Sequence, residues 1–214
     1  MTSVSAAIRA ALLTADPVAK AFAARQVARD WAAGRLAFEF DAGMPDVPGR
    51  PTTPELLAPS QMPKRGKGGS ERARIALWHA LAHIEFVAID LALDMAGRFG
   101  AERGERFVSD FLEVAADEAM HFALLARRLR SLGSYYGALP AHGGLWDAAQ
   151  ATSHDVAARL AVVPMVLEAR ALDITPTTIE RFTAARDVTS AQALTRIMHD
   201  EIRHDAAGTS WFNW

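Results

Sequence analysis

Two five-residue stretches decide the fold: DEAMH at residues 117–121 and DEIRH at residues 200–204. In each, a glutamate stands three residues before a histidine, and residues i and i+3 share one face of an α-helix. A single helical turn can therefore offer both side chains to the same ion. Chance alone predicts roughly 0.4 Glu-x-x-His pairs in a chain of this composition, so the repeat indicates a functional pattern.

Each Glu-x-x-His pair follows another glutamate by the same distance along the chain: Glu85 precedes Glu118, and Glu168 precedes Glu201. All four glutamates have apolar neighbours at helical spacing. An ionised carboxylate inside an apolar core costs free energy unless it is paired or coordinated, and four together repel one another. Two divalent cations would balance the four charges. The sequence therefore predicts a dinuclear metal site with the ligands Glu85, Glu118, His121, Glu168, Glu201 and His204.

Composition limits the chemistry that this chain can carry. The chain has 214 residues, a formal net charge of -2 and no cysteine. Without thiols, disulfides, iron–sulfur clusters and cysteine nucleophiles are excluded, and the zero count fits a reducing compartment. The near-neutral charge gives no global field for nucleic acid or an acidic membrane. We expect a cytoplasmic protein that does not associate with a membrane.

Helical periodicity dominates the first half of the chain. Asp16 followed by Pro17 predicts the start of a helix that runs to Leu36, since a capping side chain precedes a ring fixed at helical φ. Residues 41–69 hold most of the prolines and predict an extended connection. Helices are then expected over 70–99 and 105–132, with a break at 100–104. Antiparallel packing of these two helices would bring Glu85 beside Glu118 and His121.

The second half of the chain is less regular. Residues 133–144 read as an irregular connection, and a helix is expected over 153–174, ended by Thr175 and Pro176. A short helix over 177–186 and a last helix opened by Ser190 would follow. Because no segments alternate at period two, the class is all-α. We divide the chain into an N-terminal helix with its connection, 1–69, and a four-helix bundle, 70–214.

Four stretches carry a resemblance to a known family: HALAHIEFVAIDLALD, DEAMHFALLARRLRSLGSYYGALPAHGGLW, VVPMVLEARALDITP and DEIRHDAAGTSWF. They resemble the bacterial DUF455 family, and the likeness covers about residues 60–212 with all six proposed ligands. The resemblance implies a ferritin-like di-iron carboxylate fold, in which two helices give one Glu each and two give Glu-x-x-His. More distantly, the chain is similar to the tRNA-modifying di-iron hydroxylases of the MiaE type.

The resemblance also implies roles for residues beside the ligands. Asp117 and Asp200 extend each motif to Asp-Glu-x-x-His, the pattern of bacterial di-iron monooxygenases, and Arg203 matches an arginine inside that motif. Asp117 would then hold the far imidazole nitrogen of His204, and Asp200 that of His121, which fixes the tautomer of each ring. The alternative is that both aspartates are solvated residues on a helix face.

Three functions follow from this pattern. The first is an oxidoreductase whose two iron ions, or manganese or a mixed pair, activate O2 to hydroxylate or desaturate an organic substrate, with electrons from an external donor. The second is a ferroxidase that handles iron, and the third a metal-free helical interaction module. The substrate is a small molecule or a nucleoside. A tRNA substrate is unsupported beyond a basic cluster in a glycine-rich loop, Lys64, Arg65 and Lys67, which would either contact phosphate or be solvated. We expect a monomer or homodimer.

Overall fold

The computed structural model describes residues 1–63, 70–162 and 169–214, and within these residues the regular secondary structure is almost entirely α-helical. This confirms the all-α class. The helices are α1 (Val4–Leu13), α2 (Pro17–Ala32), α3 (Glu71–Arg103), α4 (Glu105–Ser131), α5 (Gly144–Ala151), α6 (Val156–Val162), α7 (Ala169–Ala184) and α8 (Val188–Phe212), with a 3-10 turn at Pro59–Gln61.

The chain forms two compact units, Met1–Asp147 and Ala148–Trp214, and the boundary falls within α5. Unit 1 contains α1 to α4, and unit 2 contains α6 to α8. The division expected between residues 69 and 70 lies at the edge of a segment outside the described residues. That division therefore stays a prediction, and so does the ferritin-like arrangement of four helices.

The N-terminal part of unit 1 has one helix more than expected. The Asp16 carboxylate accepts a hydrogen bond from the Ala19 amide at 2.7 Å, which confirms the predicted cap with Pro17 in the first turn. This helix ends at Ala32 rather than at Leu36, because Gly34 adopts a φ of 66° that a helix does not accommodate. A separate helix, α1, precedes it, and two-residue strands pair in parallel, β1 (Thr2–Ser3) with β2 (Leu36–Ala37).

The central hairpin of unit 1 is formed by α3 and α4. The Ser70 hydroxyl caps α3 by accepting from the Ala73 amide at 3.1 Å, as the sequence predicted. The prediction of a break that begins at residue 100 is wrong, because α3 continues through Gly100 to Arg103 and is followed by Gly104, whose φ is 91°. Gly100 permits close packing rather than a turn: a Cβ there would lie 2.6 Å from a methyl carbon of Val108.

Ion pairs with the buried Asp90 carboxylate connect α2 and the proline-rich connection to α3. The Lys20 ammonium on α2 donates to the Asp90 carboxylate at 2.5 Å, and both side chains are fully buried. Arg50, in the proline-rich connection, contacts the other oxygen of Asp90 at 2.6 Å. This connection forms no long helix over residues 41–63, in agreement with the prediction. Its packing on α3 holds in place the helix that carries Glu85.

Unit 2 departs further from expectation. The prediction that Thr175 and Pro176 end a helix is wrong, because α7 runs from Ala169 to Ala184 with Pro176 inside it. A proline removes one backbone donor and bends a helix, but neighbouring turns can carry the helix through it. The last helix begins at Val188, capped by Asp187 rather than opened by Ser190: the Asp187 carboxylate accepts from the Ser190 amide and hydroxyl.

One helix, α3, is long and apolar enough to cross a membrane by length and composition. Two thirds of its apolar window is buried inside the protein, and it carries three buried carboxylates, those of Glu85, Asp90 and Asp94. The core helix of a soluble protein has these properties. We therefore interpret α3 as the core helix of unit 1.

Candidate metal centre

Unit 1 brings three of the predicted ligands together. Glu85 lies near the middle of α3, and Glu118 and His121 lie one turn apart on α4. The Nδ1 atom of His121 is 3.5 Å from a carboxylate oxygen of Glu85 and 3.4 Å from one of Glu118. One ligand atom from each residue lies within 4.8 Å of the other two. We call these three residues the α3–α4 half-site, and they form a group that could hold a metal ion.

The spacing of the α3–α4 half-site fits coordination. Nitrogen and carboxylate ligands lie about 2.1 Å from a divalent ion such as zinc. Two donor atoms at that distance, subtending a tetrahedral angle, are about 3.4 Å apart. The observed separations of 3.4 and 3.5 Å therefore match donors that share one ion. The donor set of oxygen with imidazole suits iron or manganese as well as zinc.

Burial makes a cation at the α3–α4 half-site energetically favourable. His121 is fully buried, Glu118 is 1% exposed and Glu85 is 7% exposed. Two carboxylates in such surroundings repel each other and lose their hydration, which costs several kcal/mol for each ion. Four aromatic or aliphatic side chains of the same two helices are buried as well, and we call them the apolar wall: Phe86, Phe111, Phe122 and Leu125. A bound cation would offset the cost of placing these carboxylates there.

Unit 2 carries the second Glu-x-x-His turn. Glu201 and His204 are both buried on α8, and the Nδ1 atom of His204 is 3.4 Å from a carboxylate oxygen of Glu201. This distance equals the corresponding one in α4. We call the pair the α8 half-site. The two predicted Glu-x-x-His motifs are therefore helical turns with the same internal geometry, each presenting Nδ1 and a carboxylate oxygen on one face.

Glu168, the remaining predicted ligand, lies outside the described residues. The same is true of Lys64, Arg65 and Lys67, the basic cluster that was the reason to keep a tRNA substrate open. These assignments stay predictions.

The aspartates beside the ligands differ in their surroundings. Asp200 is buried, and its two carboxylate oxygens accept hydrogen bonds from Arg196 at 2.8 Å and Arg203 at 2.6 Å, both on α8. Asp117 is half-buried on α4. Arg203 therefore lies beside the half-site through its bond to Asp200. The expected bonds from Asp117 to His204 and from Asp200 to His121 stay predictions.

Sequence reasoning missed a polar group on the other face of α3. His83 Nδ1 is 3.0 Å from the Tyr136 hydroxyl, and His83 Nε2 is 3.2 Å from the carbonyl oxygen of His142. His79 Nε2 accepts from the Gly137 amide at 2.9 Å. Burial lowers the pKa of both histidines, that of His83 to about 4. The spacing of His79 and His83 is visible in the sequence, but the contact with Tyr136 is not, because it depends on how the chain after α4 folds back.

Comparison with known proteins identifies a relative without a described activity. An "Uncharacterized protein" of Haemophilus influenzae is 45% identical over 169 residues, which cover 76% of this chain and 58% of that protein. This chain therefore spans less than two thirds of the relative's length. No solved structure matches the chain. The family model described as "Protein of unknown function (DUF455)" matches residues 13–214, and the chain belongs to that family.

Proposed function

We propose that this protein is a dinuclear metal carboxylate oxidoreductase that activates O2 to hydroxylate or desaturate an organic substrate. Two iron ions, or manganese in place of one or both, would be held by Glu85, Glu118, His121, Glu168, Glu201 and His204. The observation that carries the proposal is the α3–α4 half-site, where two buried carboxylates and an imidazole nitrogen converge at coordination spacing. The identical turn in α8 supplies a second Glu-x-x-His pair.

The proposed ligands differ in what they contribute to metal binding. Glu85 and Glu118 supply negative charge that favours a divalent over a monovalent cation, and His121 supplies a neutral nitrogen donor through Nδ1. Coordination through Nδ1 leaves the ring proton on Nε2, where an aspartate oxygen would fix the tautomer. Asp117 and Asp200 are the proposed acceptors. Arg203 would hold the Asp200 carboxylate in position.

The apolar wall controls what reaches the centre. When bound, an iron pair supplies the electrons that reduce O2 and so provides the oxidant. Phe86, Phe122 and Leu125 are buried on the two helices that carry the half-site, and we propose that they exclude water from it, which would protect such an oxidant from side reactions. Because the chain has no cysteine to ligate an iron–sulfur cluster, the electrons would come from an external donor. We propose a cytoplasmic location and a small-molecule or nucleoside substrate.

Iron binding tests this proposal directly. Full-length protein is reconstituted with Fe(II) under anaerobic conditions, freed of excess metal, and its iron content is measured by mass spectrometry. We expect two iron ions for each wild-type chain, and a loss of bound iron in the double variant Glu118→Ala with His121→Ala. Glu113→Ala is the matched control, since Glu113 is an exposed glutamate on the same helix.

The α8 half-site is tested in the same way. His204→Ala should bind less iron than wild type, whereas His199→Ala, an exposed histidine on α8, should bind as much. Equal iron in His204→Ala and wild type would contradict the proposal. Size-exclusion chromatography separates the proposed monomer or homodimer from a multi-subunit shell, which an iron-storage function would require.

A further inference from the structure

Tyr136, in the connection after α4, packs against two phenylalanines that adjoin ligands of the α3–α4 half-site in the chain. Its ring packs against Phe122 edge-on, with centroids 5.1 Å apart, and against Phe86 at 5.3 Å. These phenylalanines directly follow His121 and Glu85 in the chain. The Tyr136 ring therefore contacts the direct chain neighbours of two residues that could hold a metal. Tyr135 differs, since its side chain is 62% exposed.

The hydroxyl of Tyr136 has a defined hydrogen-bond partner. His83 Nε2 lies 3.2 Å from the His142 carbonyl oxygen, which can only accept, so Nε2 carries the ring proton. In the neutral ring Nδ1 is then an acceptor, and the Tyr136 hydroxyl donates to it at 3.0 Å. The two rings also stack, at a centroid distance of 6.1 Å. The phenolic proton thus already points at a base.

This arrangement matches what one-electron oxidation of a phenol requires. Removal of an electron makes the phenolic proton strongly acidic, and the neutral phenoxyl radical forms only if a base accepts that proton. Burial raises the pKa of Tyr136 well above its usual value, so the phenol does not ionise before oxidation. The surrounding rings of Phe86 and Phe122 are harder to oxidise and cannot replace it.

We propose that Tyr136 is a redox-active residue that relays single electrons to the metal pair, with His83 as the acceptor of its proton. The inference rests on the proposed function, because the oxidant would be a bound metal pair that has reacted with O2. In the step, Tyr136 would give one electron to this oxidant, its O–H bond would break, and the proton would move to His83 Nδ1. An external one-electron donor then returns the electron, and the proton returns from His83 to the phenol oxygen.

A cavity lies beside the proposed proton acceptor. It has a volume of about 370 Å³, and residues of α3 and of the connection between α4 and α5 line part of it. His79 and His83 form part of its wall, among alanine and leucine side chains. His79 also stacks on the Tyr136 ring, with centroids 5.6 Å apart. An external electron donor would therefore approach Tyr136 from this cavity, next to the two histidines.

The first experiment uses metal-free full-length protein, so that it does not depend on iron. The chain has two tyrosines, and Tyr135→Phe leaves Tyr136 as the only one. A photo-generated ruthenium(III) tris-bipyridine oxidant is applied, and the tyrosyl radical is followed by its optical band and by electron paramagnetic resonance. We expect a Tyr136 radical whose formation is slower in D2O than in H2O.

His83→Gln in the same background should slow the radical's formation about 100-fold, the usual contribution of a positioned proton acceptor. His142→Ala is the matched control: it removes a neighbouring imidazole but keeps the carbonyl that His83 contacts. Equal rates with and without His83, or no solvent isotope effect in the parent, would overturn the inference. If His83→Gln does not fold, the solvent isotope effect in the Tyr135→Phe parent still tests whether proton transfer accompanies the oxidation.

The second experiment adds iron and O2 and traps the protein by rapid freezing. We expect a tyrosyl radical in Tyr135→Phe and its absence when Tyr136→Phe is added, with the same iron content. If the protein binds iron and photo-oxidation gives the radical, but O2 does not, Tyr136 is no relay to the metal and this inference alone fails. If no iron binds, the proposed function fails with it.

Discussion

The Glu-x-x-His turns of α4 and α8 share one internal geometry but differ in what surrounds them. In both, the histidine Nδ1 lies 3.4 Å from the glutamate oxygen. In α4 that nitrogen also faces Glu85, a second buried carboxylate supplied by α3. In α8 the aspartate before the motif is instead bound by two arginines of its own helix.

The difference shows two ways of keeping carboxylates inside a protein. The α8 turn has cations of its own, because Arg196 and Arg203 lie on Asp200, one residue from Glu201. The α3–α4 half-site sets two carboxylates of different helices beside one imidazole, and a bound metal ion would add positive charge between them.

The largest expected effect comes from the scaffold behind Glu85. Lys20→Met leaves Asp90 buried with only Arg50 beside it, and removing one partner of a buried ion pair costs about 3 kcal/mol. The free energy of unfolding, measured in urea, should fall by about that amount for unit 1. Arg35→Met removes an exposed partner of Asp30 and should cost less than about 1 kcal/mol. Equal losses in the two variants would show that the buried pair does not hold α3 in place.

Acid should weaken unit 1 through His83. Its pKa is about 4 in the folded protein and 6.5 in the unfolded chain, so between these values the unfolded chain binds a proton that the folded protein does not. The stability that neutral His83 contributes is therefore fully present above pH 6.5 and is lost as the pH falls toward 4. Between pH 7 and pH 5 the loss should be about 2 kcal/mol in metal-free protein. In His83→Gln, the free energy of unfolding measured in urea should change about 2 kcal/mol less between pH 7 and pH 5 than in wild type. The exposed-site variant His199→Gln should show the same change as wild type.

The sequence predicted most of unit 1 but less of unit 2. The apolar stripe around Glu85 and the spacing of Glu118 and His121 sufficed to predict the hairpin and its three-residue group, since regular helices transmit position along the chain. The predicted ends of the helices were less accurate, because glycine and proline usually break helices. Here Gly100 lies inside α3 and allows close packing, and Pro176 lies inside α7. The place of Tyr136 was not predictable, since it depends on how the connection after α4 folds back onto α3.

Charge removal at the α3–α4 half-site should weaken its response to metal. Glu118→Gln keeps the shape of the side chain but removes one carboxylate, so the increase in the free energy of unfolding on adding Fe(II) should be about 1 kcal/mol smaller than in wild type. Urea unfolding under anaerobic conditions, with Fe(II) and with a chelator, measures the difference. The exposed-site control Glu113→Gln should respond to Fe(II) as wild type does. An equal response in Glu118→Gln and wild type would mean that the Glu118 carboxylate does not bind the metal.

The smallest effect is expected in α8. Arg196→Ala and Arg203→Ala each remove one half-exposed arginine from Asp200 and leave the other in place. Each should reduce the free energy of unfolding by about 0.5 kcal/mol. The double variant removes both arginines from the buried Asp200 carboxylate. Its free energy of unfolding should therefore fall by more than the sum of the decreases in the two single variants. Additive losses, measured by urea unfolding, would mean that the arginines do not share the charge of Asp200.

Anomalous X-ray scattering at the iron edge, from crystals of the iron-loaded full-length protein, tests the central claim most directly. We predict two strong peaks within coordination distance of Glu118 with His121 and of Glu201 with His204. A single peak at a surface site, or iron-loaded crystals with no peak beside either histidine, would contradict the account.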